Sequence, residues 1–197
     1  MSKIVAIIGS YRKGGTTDAA VQAVLDGARS RGAETETIYL TEQHIEFCTN
    51  CRQCTEVSGN EPGQCVQRDD MDAILAQVQT ADALVVASPV QCYNVSAILR
   101  RFMERLVGAA YWPVGKDAPV MRNKHLRGKA VVVASAAMPG LMIPLMTGTA
   151  RALRLTATML GFKPVASLWV GLAGRRPQQP LSARVIKRAN AIGAHLV

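Results

Sequence analysis

The chain opens with an unbroken apolar run, Ile4–Ile8, that stops at Gly9-Ser10. A strand with one wet face alternates apolar and polar residues. An unbroken run instead predicts a strand buried on both faces of a parallel sheet. After a glycine-rich turn, apolar residues recur at Ala20, Val21, Val24, Leu25 and Ala28. That spacing predicts a helix from Thr17, ended by Gly32. Thr35–Leu40 alternates and predicts a strand with one wetter face. Asp69 or Asp70 can cap a helix whose core face is Met71, Ile74, Leu75 and Val78. Ala83–Ala87 predicts a third strand, ended by Ser88-Pro89, and Val95, Ile98, Leu99 and Phe102 share one face of the next helix. Ala130–Ala134 and Val165–Gly171 predict the fourth and fifth strands. A helix ending at Gly161 and another over Leu181–Leu196 complete the pattern.

Strand and helix thus alternate five times, which implies a parallel sheet with helices on both faces. The expected fold is a single α/β domain over residues 1–197. It is a three-layer sandwich on a five-stranded parallel sheet of order 2-1-3-4-5. In that order a ligand sits beyond the carboxyl ends of strands 1, 3 and 4, where the strand order reverses. Residues 41–68 and Ala110–His125 read as irregular connections.

Charge narrows the partners. The formal net charge is +9, which favours anionic ligands. Nucleic acid and phosphorylated cofactors are both candidates, but the basic residues are scattered, aromatics are scarce and no nucleic-acid motif occurs, so a solvated basic surface is expected rather than nucleic-acid binding. The first apolar run is too short for a secretory signal. No stretch reaches the roughly 20 apolar residues of a membrane span. A cytoplasmic protein without a membrane partner is expected.

Candidate chemistry gathers in the loops at the predicted strand ends. Gly9-Ser10-Tyr11-Arg12-Lys13-Gly14-Gly15-Thr16-Thr17 precedes a helix, so a phosphate there would meet open N–H groups and the positive end of the helix dipole. Ser10, Thr16 and Thr17 add hydroxyls, Arg12 adds a charged fork, and Gly14 and Gly15 let backbone approach the anion. The loop is neither a Walker loop nor a dinucleotide fingerprint. An ordinary polar turn is the alternative. The second loop, Ser88–Ser96, offers backbone donors and the flat ring of Tyr93. Its plainer reading is a strand end with Asn94 or Ser96 as a helix cap.

Together these residues resemble the NADPH-dependent FMN reductase and iron–sulfur flavoprotein group of the flavodoxin superfamily. The resemblance is carried by Gly-Ser-x-Arg-Lys-Gly-Gly-x-Thr, by Asp69-Asp70-Met71 closing a cysteine segment, and by Ser-Pro-Val-x-x-Tyr-Asn-Val-Ser-Ala from Ser88. The stretch Arg100–Arg105, ending in Glu104-Arg105, is also similar. The motifs cover about the first 110 residues. The resemblance implies a flavodoxin-like fold with FMN as cofactor. Ser10, Arg12, Thr16 and Thr17 would hold the phosphate, helped by Gly15. Pro89, Val90, Gln91, Tyr93 and Asn94 would line the flavin ring, and Ser135 and Ala136 would close the site. It implies an oxidoreductase taking electrons from NADPH or NADH to a small acceptor such as a quinone, flavin, nitro compound or metal ion. Hydride transfer requires no side-chain acid or base, so no catalytic residue is assigned. Lys13, Arg122, Lys124 and Arg175 are candidates for the extra phosphate of NADPH. A homodimer or a tetramer of dimers is expected. Tyr11 replaces a usual Pro, Thr16 a usual Asn, and Gln91-Cys92 an aromatic pair, while residues 136–147 lack the Gly-rich run common in the group.

Four of the five cysteines follow the spacing Cys48-x-x-Cys51-x-x-Cys54, then ten residues, then Cys65. The resemblance implies a 4Fe–4S cluster at such positions, although the last gap is longer here. The expectation is therefore a loop of free or partly buried thiols, with the cluster as alternative and zinc third. The rival function is a flavodoxin-like or iron–sulfur electron carrier without nicotinamide activity. The charge of +9 opposes it, since the resemblance implies acidic carriers.

Overall fold

In the computed structural model, five strands form one parallel sheet: β1 (Lys3–Ile8), β2 (Glu34–Tyr39), β3 (Ala83–Gln91), β4 (Gly128–Ser135) and β5 (Phe162–Val170). The described residues are 1–122, 125–176 and 178–197. The spatial order is β2-β1-β3-β4-β5, as the pattern predicts. Five main helices connect or follow the strands: α1 (Thr16–Arg29), α2 (Met71–Gln79), α3 (Ala97–Glu104), α4 (Thr149–Met159) and α5 (Ala183–Ala194).

Each strand feeds two cores, because successive side chains point to opposite faces. Ile4, Ala6 and Ile8 of β1 pack with Val21, Val24 and Leu25 of α1 and with Ala189 of α5. Val5 and Ile7 face the other way, toward Ile74 and Val78 of α2, Leu99 and Phe102 of α3, and Leu153 of α4. The result is a flavodoxin-like three-layer sandwich. It explains why Ile4–Ile8 is unbroken: all five residues are 0% exposed. Phe102 is also fully buried, and truncating it to Ala would cost about 3–5 kcal/mol.

Local differences from the sequence pattern concentrate at the strand ends. β3 does not stop at Ser88-Pro89. It runs on to Gln91 and turns back as Asn94–Val95, with Val90 opposite Val95 and Gln91 opposite Asn94. The two turn residues, Cys92 and Tyr93, have φ of 46° and 60°. A two-residue hairpin turn matched to strand twist requires this left-handed pair. Within the expected connection Ala110–His125, Ala110–Tyr111 and Val120–Met121 pair as a short antiparallel ribbon. β4 and β5 slip in register at Val165, next to Pro164, which has no N–H to give the ladder. Asp70 is the N-cap residue of α2, but its side chain accepts the His44 N–H at 2.6 Å, and Asp69 just before it accepts the Met71 N–H at 3.0 Å. Ser96 caps α3, its hydroxyl accepting the Leu99 N–H at 3.3 Å. Among the described residues no helix is long and apolar enough to cross a membrane.

Candidate functional site

A cleft of about 330 Å³ opens at the carboxyl ends of β1, β3 and β4. The first loop contributes Ser10, Tyr11, Arg12, Gly15, Thr16 and Thr17, and β3 contributes Pro89, Val90 and Gln91. Ser135, Ala136 and Ala137 follow β4, and Ala173 and Gly174 follow β5. The structure thus brings together ten of the twelve candidate residues. Tyr93 and Asn94 stand apart on the hairpin. Tyr93 is exposed, and Asn94 turns its Oδ1 to the neighbouring Val95 N–H at 2.9 Å. Ala137, Ala173 and Gly174 escaped the sequence reading. The glycines at 171 and 174, just past β5, were the available signal.

The first loop is shaped to leave donors open. Gly14 has φ of 70°, a conformation glycine adopts without strain. Its N–H donates to Asp18 Oδ2 at 2.7 Å, and Asp18 also accepts the Tyr39 hydroxyl at 3.1 Å. The Ser10 hydroxyl accepts the Arg12 N–H at 3.2 Å and folds the turn. Gly15, at the N-cap of α1, has no side chain to cap the helix. The first-turn N–H groups of Thr16 and Thr17 therefore lack intrahelical partners and face the cleft with the positive end of the dipole. Thr17 Oγ1 and Ser135 Oγ lie 2.7 Å apart. Whichever donates, the other hydroxyl keeps a proton for a ligand. Arg12 is exposed and has no carboxylate partner among the described residues.

Buried hydroxyls lock the loops together. The Ser96 N–H donates to Ser88 Oγ at 2.9 Å, and the Ser96 hydroxyl donates to the Gly9 carbonyl. A Cβ on Gly9 would lie 2.6 Å from Leu99 Cβ, so only glycine lets the first loop come this close to α3. The Tyr11 hydroxyl accepts the Ile98 N–H at 3.1 Å. The residue that departs from the usual Pro thereby ties the first loop to the start of α3.

The cysteine segment is organised differently. Arg122 is buried, and its Nε donates to the carbonyls of Gly108 at 3.0 Å and Ala110 at 3.3 Å. Its Nη1 donates to Gly59 at 3.0 Å, and its Nη2 to Cys54 at 3.1 Å and Val57 at 2.7 Å. Arg105 forms a buried ion pair with Asp69 and also donates to the Glu46 carbonyl at 3.0 Å. Burial alone would raise the Asp69 carboxyl. The Arg105 guanidinium and the N–H groups of Glu46 and Met71 outweigh it and hold the group below its ordinary value. Burial pushes the Cys54 thiol up, and the neighbouring Cys65, Cys48 and Cys51 add to the rise. Among the described residues, no three His, Cys, Asp or Glu side chains come together as ligands of a metal ion. Trp112 belongs to this region, not to the cleft. Its ring carries the Arg52 guanidinium 4.9 Å from the centroid, and its backbone N–H donates to the Thr55 carbonyl at 2.8 Å. A wider cleft of about 840 Å³ separates the segment from α2 and is lined by Cys65, Arg68, Arg105 and Met159.

These contacts sort the basic candidates. Lys13 pairs with Glu42 and sits 4.2 Å over the Tyr39 ring. Arg122 is enclosed by carbonyls, Arg175 is exposed beside the cleft, and Lys124 lies outside the described residues.

The sheet order, the helices on both faces and the strand-end cleft define a flavodoxin-like α/β protein. A sequence profile of the NADPH-dependent FMN reductase family matches residues 2–175, and the chain belongs to that oxidoreductase family. An iron–sulfur flavoprotein from Archaeoglobus fulgidus is 35% identical over 137 residues, which cover 70% of this chain and 57% of that protein. One from Methanosarcina thermophila is 35% identical over 105 residues, covering 53% of this chain and 52% of that protein. The matches thus span little more than half the length of these relatives. The solved NAD(P)H:quinone oxidoreductase from Methanothermobacter marburgensis superposes with a TM-score of 0.68 at 20% identity. That superposition covers 100% of this chain and 99% of the other, and shows the shared fold.

Proposed function

We propose that the chain binds FMN in the strand-end cleft and uses it to move electrons from NADPH or NADH to a small acceptor. A quinone, a free flavin, a nitro compound or a metal ion would serve. The observation that carries this reading is the open first turn of α1, which faces the cleft across from Pro89–Gln91. A terminal phosphate fits the Thr16 and Thr17 N–H groups, the Ser10, Thr16 and Thr17 hydroxyls and the Arg12 guanidinium. Pro89, Val90 and Gln91 would lie along the flavin ring, with Ser135 and Ala136 at the far edge. Tyr93 and Asn94 would act from the hairpin that carries Gln91.

Bound FMN would supply two-electron chemistry, and the protein supplies orientation and charge. The chain's residues then have three tasks. The first loop neutralises the phosphate. The Ser88–Ser96–Gly9 bonds fix that loop against β3. The shallow cleft admits one reactant at a time, so donor and acceptor alternate in a ping-pong scheme. The net charge of +9 attracts the doubly charged 2′-phosphate of NADPH, which favours NADPH over NADH. We read residues 1–197 as one FMN-binding unit, acting as a homodimer or a tetramer of dimers. Leu141, Leu145 and Met146 are exposed near the cleft and offer an apolar contact surface.

A second reading draws on the relatives' names. An iron–sulfur centre on Cys48, Cys51, Cys54 and Cys65 would make the chain an electron carrier. As placed, the four thiols do not form a ligand set, and the oxidoreductase reading needs none. Anaerobic purification followed by an absorbance spectrum and an NADPH oxidation assay with a quinone tests both readings. A flavin spectrum with turnover supports the first. A broad brown shoulder without turnover supports the second.

A further inference from the structure

One wall of the cleft comes from the turn after β5, where Ala173 and Gly174 line the cavity. The Ala173 N–H donates to the Ala136 carbonyl at 2.9 Å and the Leu172 N–H to the Met138 carbonyl at 3.0 Å. These bonds fasten the turn to the segment after β4, beside Ser135. Farther along, Gln178 returns to the glycine-rich loop. Its Nε2 lies 3.8 Å from the point where a Gly14 Cβ would sit. Arg175 and Arg176 stand between these two anchors. Both are exposed, and neither has a carboxylate partner among the described residues. Lys13 of the first loop, by contrast, is engaged with Glu42. The turn therefore carries two exposed arginines directly after Gly174, the last residue of this wall that lines the cleft.

We propose that Arg175 and Arg176 recognise a phosphate monoester at the rim of the cleft, either the 5′-phosphate of FMN or the 2′-phosphate of NADPH. The proposal rests on the flavin reading above. The planar guanidinium fork matches two phosphate oxygens at once, a geometry that lysine cannot reproduce. A doubly charged phosphate gains most from such a contact. A neutral ligand of the same shape gains nothing.

The test uses the Arg175→Gln/Arg176→Gln double variant and the parent, both stripped of flavin. Each is titrated with FMN and with riboflavin, which lacks the phosphate. Each is then loaded with FMN and assayed with NADPH and with NADH. If the cofactor phosphate is the ligand, FMN affinity falls roughly ten- to a hundredfold while riboflavin affinity holds. If the coenzyme phosphate is the ligand, FMN affinity holds and the NADPH-to-NADH ratio of kcat/KM falls about tenfold. An Arg175→Lys/Arg176→Lys variant recovers part of either loss. Unchanged FMN affinity together with an unchanged coenzyme ratio overturns the proposal. Equal loss of FMN and riboflavin also overturns it, because the effect would then not be on phosphate. A parent that binds FMN yet oxidises neither coenzyme ends the oxidoreductase reading and leaves the FMN comparison decisive for this proposal.

Discussion

The strand-end cleft and the cysteine segment both place cationic groups near backbone turns, and they use them in opposite ways. At the cleft, Gly15 leaves the first turn of α1 uncapped, and Arg12, Arg175 and Arg176 have no carboxylate partner among the described residues. In the cysteine segment the guanidinium of Arg122 is spent on five carbonyls, and Arg105 on Asp69 and Glu46. Unspent donors fit a site that waits for an anion. Spent donors fit a strut that holds an irregular chain in place. On the proposed reading, arginines of one chain serve binding in one region and architecture in the other, and burial separates the two roles.

The comparison predicts that changes in the two regions have separable effects. The largest should come from Asp69→Asn, which leaves the Arg105 guanidinium buried without its counter-charge. The expected loss is about 3–5 kcal/mol of unfolding free energy in urea titration, with FMN affinity nearly unchanged. Acid sharpens the point. A carboxyl held below its ordinary value adds stability that is full above that value and is lost as pH falls through the folded one. The parent should therefore lose stability below about pH 4, and Asp69→Asn should lack that component of the acid loss. Equal acid sensitivity in both proteins would count against the ion pair.

Next in size is Arg12→Ala. Loss of a charged hydrogen bond to phosphate is worth about 1.5–3 kcal/mol, so FMN should bind roughly ten- to a hundredfold more weakly. Its urea midpoint without flavin should match the parent. A large drop in that midpoint would mean that Arg12 is structural, and the contrast between the regions would fail.

The sequence made the cleft far more legible than the cysteine segment. Ile4–Ile8 and the periodic faces of α1 and α2 are local patterns, and both buried faces of β1 leave a mark in consecutive residues. The loop Gly9–Thr17 announces itself through glycines and hydroxyls just before a helix. By contrast, Arg105 finds Asp69 thirty-six positions away, and Arg122 finds Cys54 at a separation of sixty-eight. Nothing near either arginine in sequence signals these partners. The hairpin through Cys92-Tyr93 was hidden because its left-handed residues are neither Gly nor Asn, the usual marks of such a turn. Its formation moves Tyr93 and Asn94 off the cleft lining.

Smaller effects extend the comparison. Ser135→Ala removes the partner of Thr17 across the cleft and should cost about 0.5–1.5 kcal/mol in stability. FMN should weaken a few-fold, because the remaining hydroxyl loses its orientation. Alkylation by iodoacetamide should label exposed Cys51 and Cys92 first and buried Cys54 last, since burial and neighbouring thiols raise the Cys54 thiol. Peptide mapping by mass spectrometry over a time course reads that order directly. Early labelling of Cys54 would mean that the Arg122 cage does not hold the segment closed.

The claim that joins these observations is that the cleft positions FMN to accept hydride from a reduced nicotinamide. Stopped-flow absorbance tests it most directly. The FMN-loaded protein is mixed anaerobically with excess NADPH, and separately with excess NADH. The oxidised flavin bands should bleach within seconds with at least one donor, and adding a quinone should restore them. Flavin that stays oxidised with both donors, yet accepts electrons from a reduced protein partner, would contradict the account and identify the chain as an electron carrier.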